Sequence, residues 1–329
     1  MMGVVIKGIG ISDPARLVHS TEIDNYLGLK TGTVEAGTGI KFRRYAESES
    51  AGQLAVAAVS KALEDADMGI EEINCIISAS GTMEQAIPYN GANIHRLLNT
   101  NIPIPTFDVN MTCLSSVAAI NVANALIQNL TYKNILIVSS DIASVGLDWN
   151  DLEVGGMFGD GAGAIILAQS DSLSQKLIAS HFETHSNGYD YCQIRGGGSL
   201  NHPVKVGSGD YAAYGMFDMR GKDAYRLTAK VMPLFLEKLL FKANLELNEI
   251  DWVVPHQASH LALKHLRKKL AIPEEKMIDI LSEKGNQIAA SIPNALHTLL
   301  KERAVRKGDK VLVIGSSAGI SLGGVILEL

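Results

Sequence analysis

Cys113 sits in DVNMTCLSSVAA, between a hydrophobic run and a small-residue run that reads as a helix. A thiol at such a joint has three readings. It can be a small buried hydrophobe, as free Cys often is. It can be a metal ligand, but Cys75 and Cys192, the other two Cys, have no suitable spacing. It can be a nucleophile. A thiol at a helix's first turn meets the positive end of the helix, which favours thiolate, and the following N–H groups can hold an oxyanion. The neighbours Ser115, Ser116, Ala118 and Ala119 are small and leave room for a substrate chain.

A Cys nucleophile needs an imidazole and an orienting polar group from elsewhere in the chain. His256 follows the strand-like WVVP in WVVPHQAS, at the carboxyl end where α/β sheets bind ligands. The alternative for it is a structural, hydrogen-bonded His at a helix start. Asn286, in EKGNQIAASIPNAL, precedes a second small-residue helix. Its alternative is a helix N-cap. His181/His185 and His256/His260 have i,i+4 spacing, but neither pair has an HExxH pattern or an acidic third ligand, so no metal is expected.

Short β-branched runs predict the strands that hold these groups: 4–9, 73–78, 135–138, 164–167, 252–254, 311–314 and 324–327. Helical patterning covers 50–66, 114–129, 224–243, 260–270 and 293–301. Alternating strands and helices mean an α/β protein. ADMGIEEINCII, from Ala66, aligns without a gap on ANLELNEIDWVV, from Ala243, and NILIVSS pairs with KVLVIGS at nearly the same offset. The chain therefore reads as two similar halves, 1–170 and 171–329. The distance from Cys113 to Asn286 is close to that offset, so both are expected to begin equivalent helices.

Other patterns in the chain point to different chemistry but lack its remaining parts. GSSAG, from Gly315, follows a strand as a hydrolase nucleophile elbow would. That family needs its acid and His after the Ser, and only residues 320–329 follow. FGDGAGA matches neither a P-loop nor a dinucleotide turn, and its glycines are read as packing and turn residues. The 329 residues are 47% hydrophobic, enough for a large core, and the net charge of -6 disfavours nucleic acid. Three Cys without paired spacing and no long apolar run point to a cytoplasmic protein that does not span a membrane.

DVNMTCLSS, FGDGAGAIIL, DWVVPHQAS and GNQIAASIPNAL, together with TGIKFRR, stand in the order and spacing of a known family. The chain resembles the 3-oxoacyl-[acyl-carrier-protein] synthase III group of the thiolase superfamily. The resemblance implies a duplicated five-layer αβαβα fold, a homodimer, and coenzyme A or phosphopantetheine thioesters as substrates with no other cofactor. It implies that Cys113 is acylated, that His256 and Asn286 bind a malonyl thioester and promote its decarboxylation, and that the Cys113 and Ala318 N–H groups form the oxyanion hole. The family's adenine clamp, a Trp and an Arg, aligns with Thr33 and Leu152. Its partner-contributed acyl-tunnel Phe aligns with Ile87, which would admit a longer or branched chain. These departures suggest a fatty-acid-related or secondary-metabolite pathway. Lys264, Arg267, Lys268 and Lys269 could receive an acidic acyl carrier protein, or could be an ordinary solvated helix face. The alternative activity is acyl transfer or thioester hydrolysis without decarboxylation. A non-decarboxylative condensation would need an acid/base such as Glu84, which otherwise reads as a solvated loop charge.

Overall fold

The structure, a computed structural model, describes residues 2–172 and 174–329; the side chains of Ser208 and Asp210 lie outside that description. Nine strands form two large sheets: β1 Gly3–Ser12, β2 Cys75–Ser78, β3 Thr106–Asp108, β4 Asn134–Asp141, β5 Gly161–Ser170, β6 Lys176–Thr184, β7 Trp252–Pro255, β8 Lys310–Ser317 and β9 Ser321–Glu328. The first sheet has the order β1-β5-β4-β2-β3 and the second β7-β8-β9-β6. Read from its far edge, the second sheet repeats the first. Two antiparallel pairings are followed by a parallel one in both. Even β3 has a counterpart, since Met277 bridges Val253 of β7 in parallel.

Five longer helices cover these sheets: α1 Ala51–Ala66, α2 Ser115–Gln128, α3 Gly221–Ala243, α4 His260–Lys269 and α5 Ser291–Glu302. Strand alternation sorts them into layers, because successive side chains point to opposite faces. Cys75 and Ile77 of β2 join one core, while Ile76 between them joins another. The first core also holds Ile135, Ile137, Val311 and Val313 from both sheets, with Ile120 of α2 and Leu296 of α5. So α2 and α5 are the middle layer. Helix α1 covers the outer face of the first sheet through Leu54, Ala58 and Ala62. Helices α3 and α4 cover the second through Phe235, Leu239 and Leu263. The result is the five-layer αβαβα arrangement. Burying a large apolar side chain such as Ile120 or Leu296 is worth about 1.5–3 kcal/mol each.

All seven predicted strands and five predicted helices are present, with shifted ends. Two large-sheet strands had escaped prediction. β3 is only three residues long, and β6 (KLIASHFET) mixes His, Glu and Ser into a half-covered edge. Among the described residues, no helix is long and apolar enough to cross a membrane.

Candidate active site

The middle layer places the chemistry, because α2 and α5 both begin at the same side of the sheets. Each is preceded by one tight 3-10 turn, Thr112–Leu114 and Ile288–Ala290. The turns are built alike. Asn110 Oδ1 accepts from the Thr112 N–H at 2.9 Å, and Asn286 Oδ1 accepts from the Ile288 N–H at 2.9 Å. Thr112 (φ 50°) and Ile288 (φ 54°) both adopt the left-handed conformation that β-branched residues rarely take. Ser115 Oγ donates to Thr112 O at 2.7 Å, and Ser291 Oγ donates to Ile288 O at 2.7 Å. The sequence reading is thereby refined: α2 and α5 are equivalent helices, but the mate of Asn286 is Asn110, and Cys113 corresponds to Ala289. Nor is Asn286 the N-cap of α5, a place taken by Ala290.

The two turns are in contact. Gly81 lies against both, within reach of Ile288 Cγ2 and the Thr112 carbonyl, and Ser116 Oγ donates to Ala289 O at 2.7 Å. His256, just after β7, closes the third side. A Cβ added at Gly315 of β8 would lie 2.6 Å from His256 Cβ and 3.1 Å from Leu114 Cδ2, so glycine there lets the imidazole and the Cys113 turn approach one strand together. The GSSAG motif is thus the wall behind His256. Asn286 Nδ2 donates to Ala258 O at 3.3 Å, joining the amide to the loop after His256. The structure therefore brings Cys113, His256 and Asn286 into one set of touching turns.

The FGDGAGA run supports the Asn286 turn. The Gly159 N–H donates to Asn286 O at 3.1 Å, the Asn286 N–H donates to Met157 O at 3.0 Å, and Gln287 Nε2 donates to Asp160 O at 3.0 Å. A Cβ at Gly161 would stand 2.1 Å from Gln287 Nε2, which explains that glycine. Sequence reasoning passed over Asp141 at the end of β4. Its fully buried carboxylate accepts from the Gly81 N–H, the Thr82 N–H and hydroxyl, and the Ala290 N–H. It ties the loop after β2 to the Asn286 turn. Burial nonetheless outweighs those bonds and pushes its carboxyl up to about 6.

Cys113 is half-buried as a residue, and protein surrounds its thiol. Burial pushes its thiol up to about 12, and the nearby Cys192 and Asp141 would add to this if ionised. Burial thus opposes the thiolate that a helix start would favour. The backbone N–H groups of Cys113 and Ala318 lie beside the sulfur and act against that rise without offsetting it. His256 is buried, and desolvation lowers its imidazole to about 4, so the ring is neutral near pH 7. Its Nδ1 lies 2.8 Å from Ser291 Oγ.

A cavity of about 70 Å³ reaches His256 between Tyr225 and Met232 of α3 and Ala262 and Leu266 of α4. A larger one, about 300 Å³, lies beside Val4, Asn124 and Leu300, and none of the three site residues lines it. Of the remaining candidates, Ile87 is 88% exposed and lines neither of these cavities. Lys264, Lys268 and Lys269 are exposed on α4, whereas Arg267 is ion-paired with Glu274. Glu84 Oε2 accepts from the Gly52 N–H at 2.6 Å, so it caps the start of α1. His181 and His185 both contact the carboxylate of Glu183, which Lys238 also holds. Leu152 packs with Val34 and Trp149, and Thr33 Oγ1 donates to Lys30 O at 2.5 Å.

Two family models match this chain. The one described as 3-oxoacyl-[acyl-carrier-protein (ACP)] synthase III covers residues 107–186, and its C-terminal companion covers 240–329. The β-ketoacyl-[acyl-carrier-protein] synthase III of Microcystis aeruginosa is 34% identical over 99% of this chain and 97% of its own. That of Rickettsia bellii is 32% identical over 98% of each. The crystal structure of 3-oxoacyl-[acyl-carrier-protein] synthase III from Aquifex aeolicus VF5 has a TM-score of 0.89 at 27% identity, covering 99% of this chain and 100% of that one. The priming β-ketosynthase of the R1128 polyketide pathway has a TM-score of 0.90 at 26% identity, covering 100% and 96%. The chain belongs to the 3-oxoacyl-[acyl-carrier-protein] synthase III family.

Proposed function

We propose that this protein is a ketosynthase that joins a Cys113-bound acyl group to a malonyl thioester by decarboxylative Claisen condensation. The observation that carries this reading is the meeting of the Cys113 turn, the Asn286 turn and His256, through Gly315, Ser116 and Ala258, with the N–H groups of Cys113 and Ala318 beside the sulfur as two donors. Two donors there stabilise the oxyanion formed when the sulfur, and later the enolate carbon, adds to an acyl carbonyl. Loss of CO2 from the malonyl thioester leaves an enolate, whose oxygen the Asn286 amide and the His256 imidazole would bind. The enolate carbon then bonds to the acyl carbon and the Cys113 C–S bond breaks. Simple acyl transfer or hydrolysis has no use for the Asn286 amide, which is buried and held in place.

The substrates proposed are thioesters of coenzyme A or carrier-bound phosphopantetheine, with the arm entering through the cavity between α3 and α4. Leu152 in an apolar cluster offers no cation for a nucleotide, which favours carrier-bound donors. Lys264, Lys268 and Lys269 would meet the acidic carrier. The two halves, 1–170 and 171–329, contribute the nucleophile and the enolate site respectively. A homodimer is proposed on two grounds. Among the described residues the outer edge of β3 is unpaired, and Tyr89, whose hydroxyl meets Thr106 of β3, is exposed together with Met83 and Ile87. Ile87 would then reach the partner's acyl pocket.

The experiment is CO2 release from malonyl carrier protein, measured with a panel of acyl donors. Release that depends on an acyl donor and yields a 3-oxoacyl product supports the proposal. Donor turnover without CO2 would replace it with acyl transfer or hydrolysis.

A further inference from the structure

The larger cavity, about 300 Å³, has no part in the chemistry above. It lies on the seam between the halves: β1, β5 and α2 line it from the first, and β6, β9 and α5 from the second. Asn124 places it on the far part of α2, roughly 14 Å along the helix from Ser115 and so away from the Cys113 turn. Leu300 does the same on α5, whose other end follows the Asn286 turn. The floor is aliphatic. Val4, Ile120, Leu167 and Leu327 are buried there, with Leu177 and Leu300 beside them. Among the described residues no aromatic side chain lines it, so nothing there favours a flat ring over a flexible chain. The rim is cationic. Arg306 and Lys307 are exposed, and neither is in an ion pair among the described residues. The acidic groups nearby are already engaged. Lys176 holds Glu328 at 3.1 Å, and Trp252 Nε1 and the Arg306 N–H both donate to Asp309 Oδ2 at 2.9 Å. Leu329 O accepts from the Gly308 N–H.

We propose that this cavity is a second binding site, for a single-chain aliphatic carboxylate, with the chain on the aliphatic floor and the carboxylate between Arg306 and Lys307. A methylene fills roughly the volume of a water, about 30 Å³, so the space takes a chain of about ten carbons. An exposed ion pair contributes little by itself. Burial of the chain therefore supplies most of the affinity, and the two cations supply the choice of head group. The chain touches α2 and α5 together and braces the two helices whose opposite ends carry the Cys113 and Asn286 turns. This assignment does not depend on Cys113 being a nucleophile.

The test titrates the wild-type protein with decanoate, decanol and decyltrimethylammonium by calorimetry. Decanoate is expected to bind saturably, and the cation at least about tenfold more weakly, since two attractive charge contacts become repulsive. Equal binding of all three, or no saturable binding of decanoate, overturns the proposal. The site is located with a diazirine-bearing decanoate, crosslinked to the protein and mapped by peptide mass spectrometry. Labels are expected within residues 4–6, 120–124, 300–307 or 327–329. Labels found only around Cys113, or only between α3 and α4, would place the ligand in the active site and overturn the proposal. Two variants separate head from chain. Arg306→Glu combined with Lys307→Glu should weaken decanoate about tenfold and leave decanol unchanged; unchanged decanoate binding overturns the proposal. Leu300→Trp fills the floor and should abolish binding of decanoate and decanol alike. If Leu300→Trp does not fold, the crosslink map and the charge reversal, which alters only exposed side chains, decide.

Discussion

In the turn before α2, Asn110 bonds the Thr112 N–H, Thr112 takes a left-handed conformation and Ser115 closes back on its carbonyl. In the turn before α5, Asn286, Ile288 and Ser291 do the same at the same distances. The chemistry laid on this common frame differs. Cys113 in the first half faces Ala289 in the second. After the parallel strand, Ala79 in the first half stands where His256 stands in the second, their N–H groups donating to Val138 O and Ile314 O respectively. Asn110 is exposed, while Asn286 is buried against Ala258. One half thus keeps the nucleophile and the other an amide and an imidazole. A duplicated scaffold supplies rigid turns twice, and substitutions within them decide which half attacks and which stabilises.

The largest break in this comparison is Cys113→Ala. The expected result is no acyl adduct by intact mass and a loss of condensation of at least about 10³-fold, since covalent catalysis is removed outright. Next comes the contrast between the two asparagines. Asn286→Ala should lower condensation by about 10²–10³-fold, the scale of a lost oxyanion donor. Asn110→Ala removes the same backbone cap without touching chemistry, and should change product formation by less than about threefold. Comparable losses would show that both residues serve only to hold their turns.

Gly315→Ala tests the shared wall. Its new methyl meets His256 Cβ and Leu114 Cδ2 and should cost about 1–3 kcal/mol of stability, read by thermal unfolding, as well as activity. Cys113 reactivity tests the electrostatics. With the thiol near 12, alkylation by iodoacetamide should rise about tenfold per pH unit from pH 7 to 10, because thiolate is the reactive form. A plateau beginning near pH 7 would reveal a thiolate instead. The smallest effect concerns Asp141. Its folded pKa of about 6 lies above the ordinary 3.8, so its contribution is full below the ordinary value and is lost as pH rises through 6. Between pH 7.5 and 5 the wild type should gain about 1 kcal/mol relative to Asp141→Asn, measured by denaturant unfolding.

Much of this could be read from the residues. The β-branched runs gave seven of the nine large-sheet strands, and the repeated segment showed two related halves. Cys113, His256 and Asn286 stood out because each lies just past a strand or just before a small-residue helix. The missed features have physical reasons. β3 is too short to show a period, and β6 is an edge strand whose charged residues hide one. The enclosure that opposes a Cys113 thiolate leaves no local pattern, whereas a helix start does. Ser291 and Asp141 act through bonds to distant turns, which no local pattern records. The one-register difference between Cys113 and Asn286 emerged only from the hydrogen bonds of Asn110.

A single time course tests the central claim most directly. The protein is loaded with an acyl donor, malonyl carrier protein is added, and intact mass and CO2 are followed together. The account expects the acyl mass on Cys113 to appear first and then to vanish in step with one CO2 and one 3-oxoacyl product. An adduct on another residue, or one that decays without CO2, would contradict it.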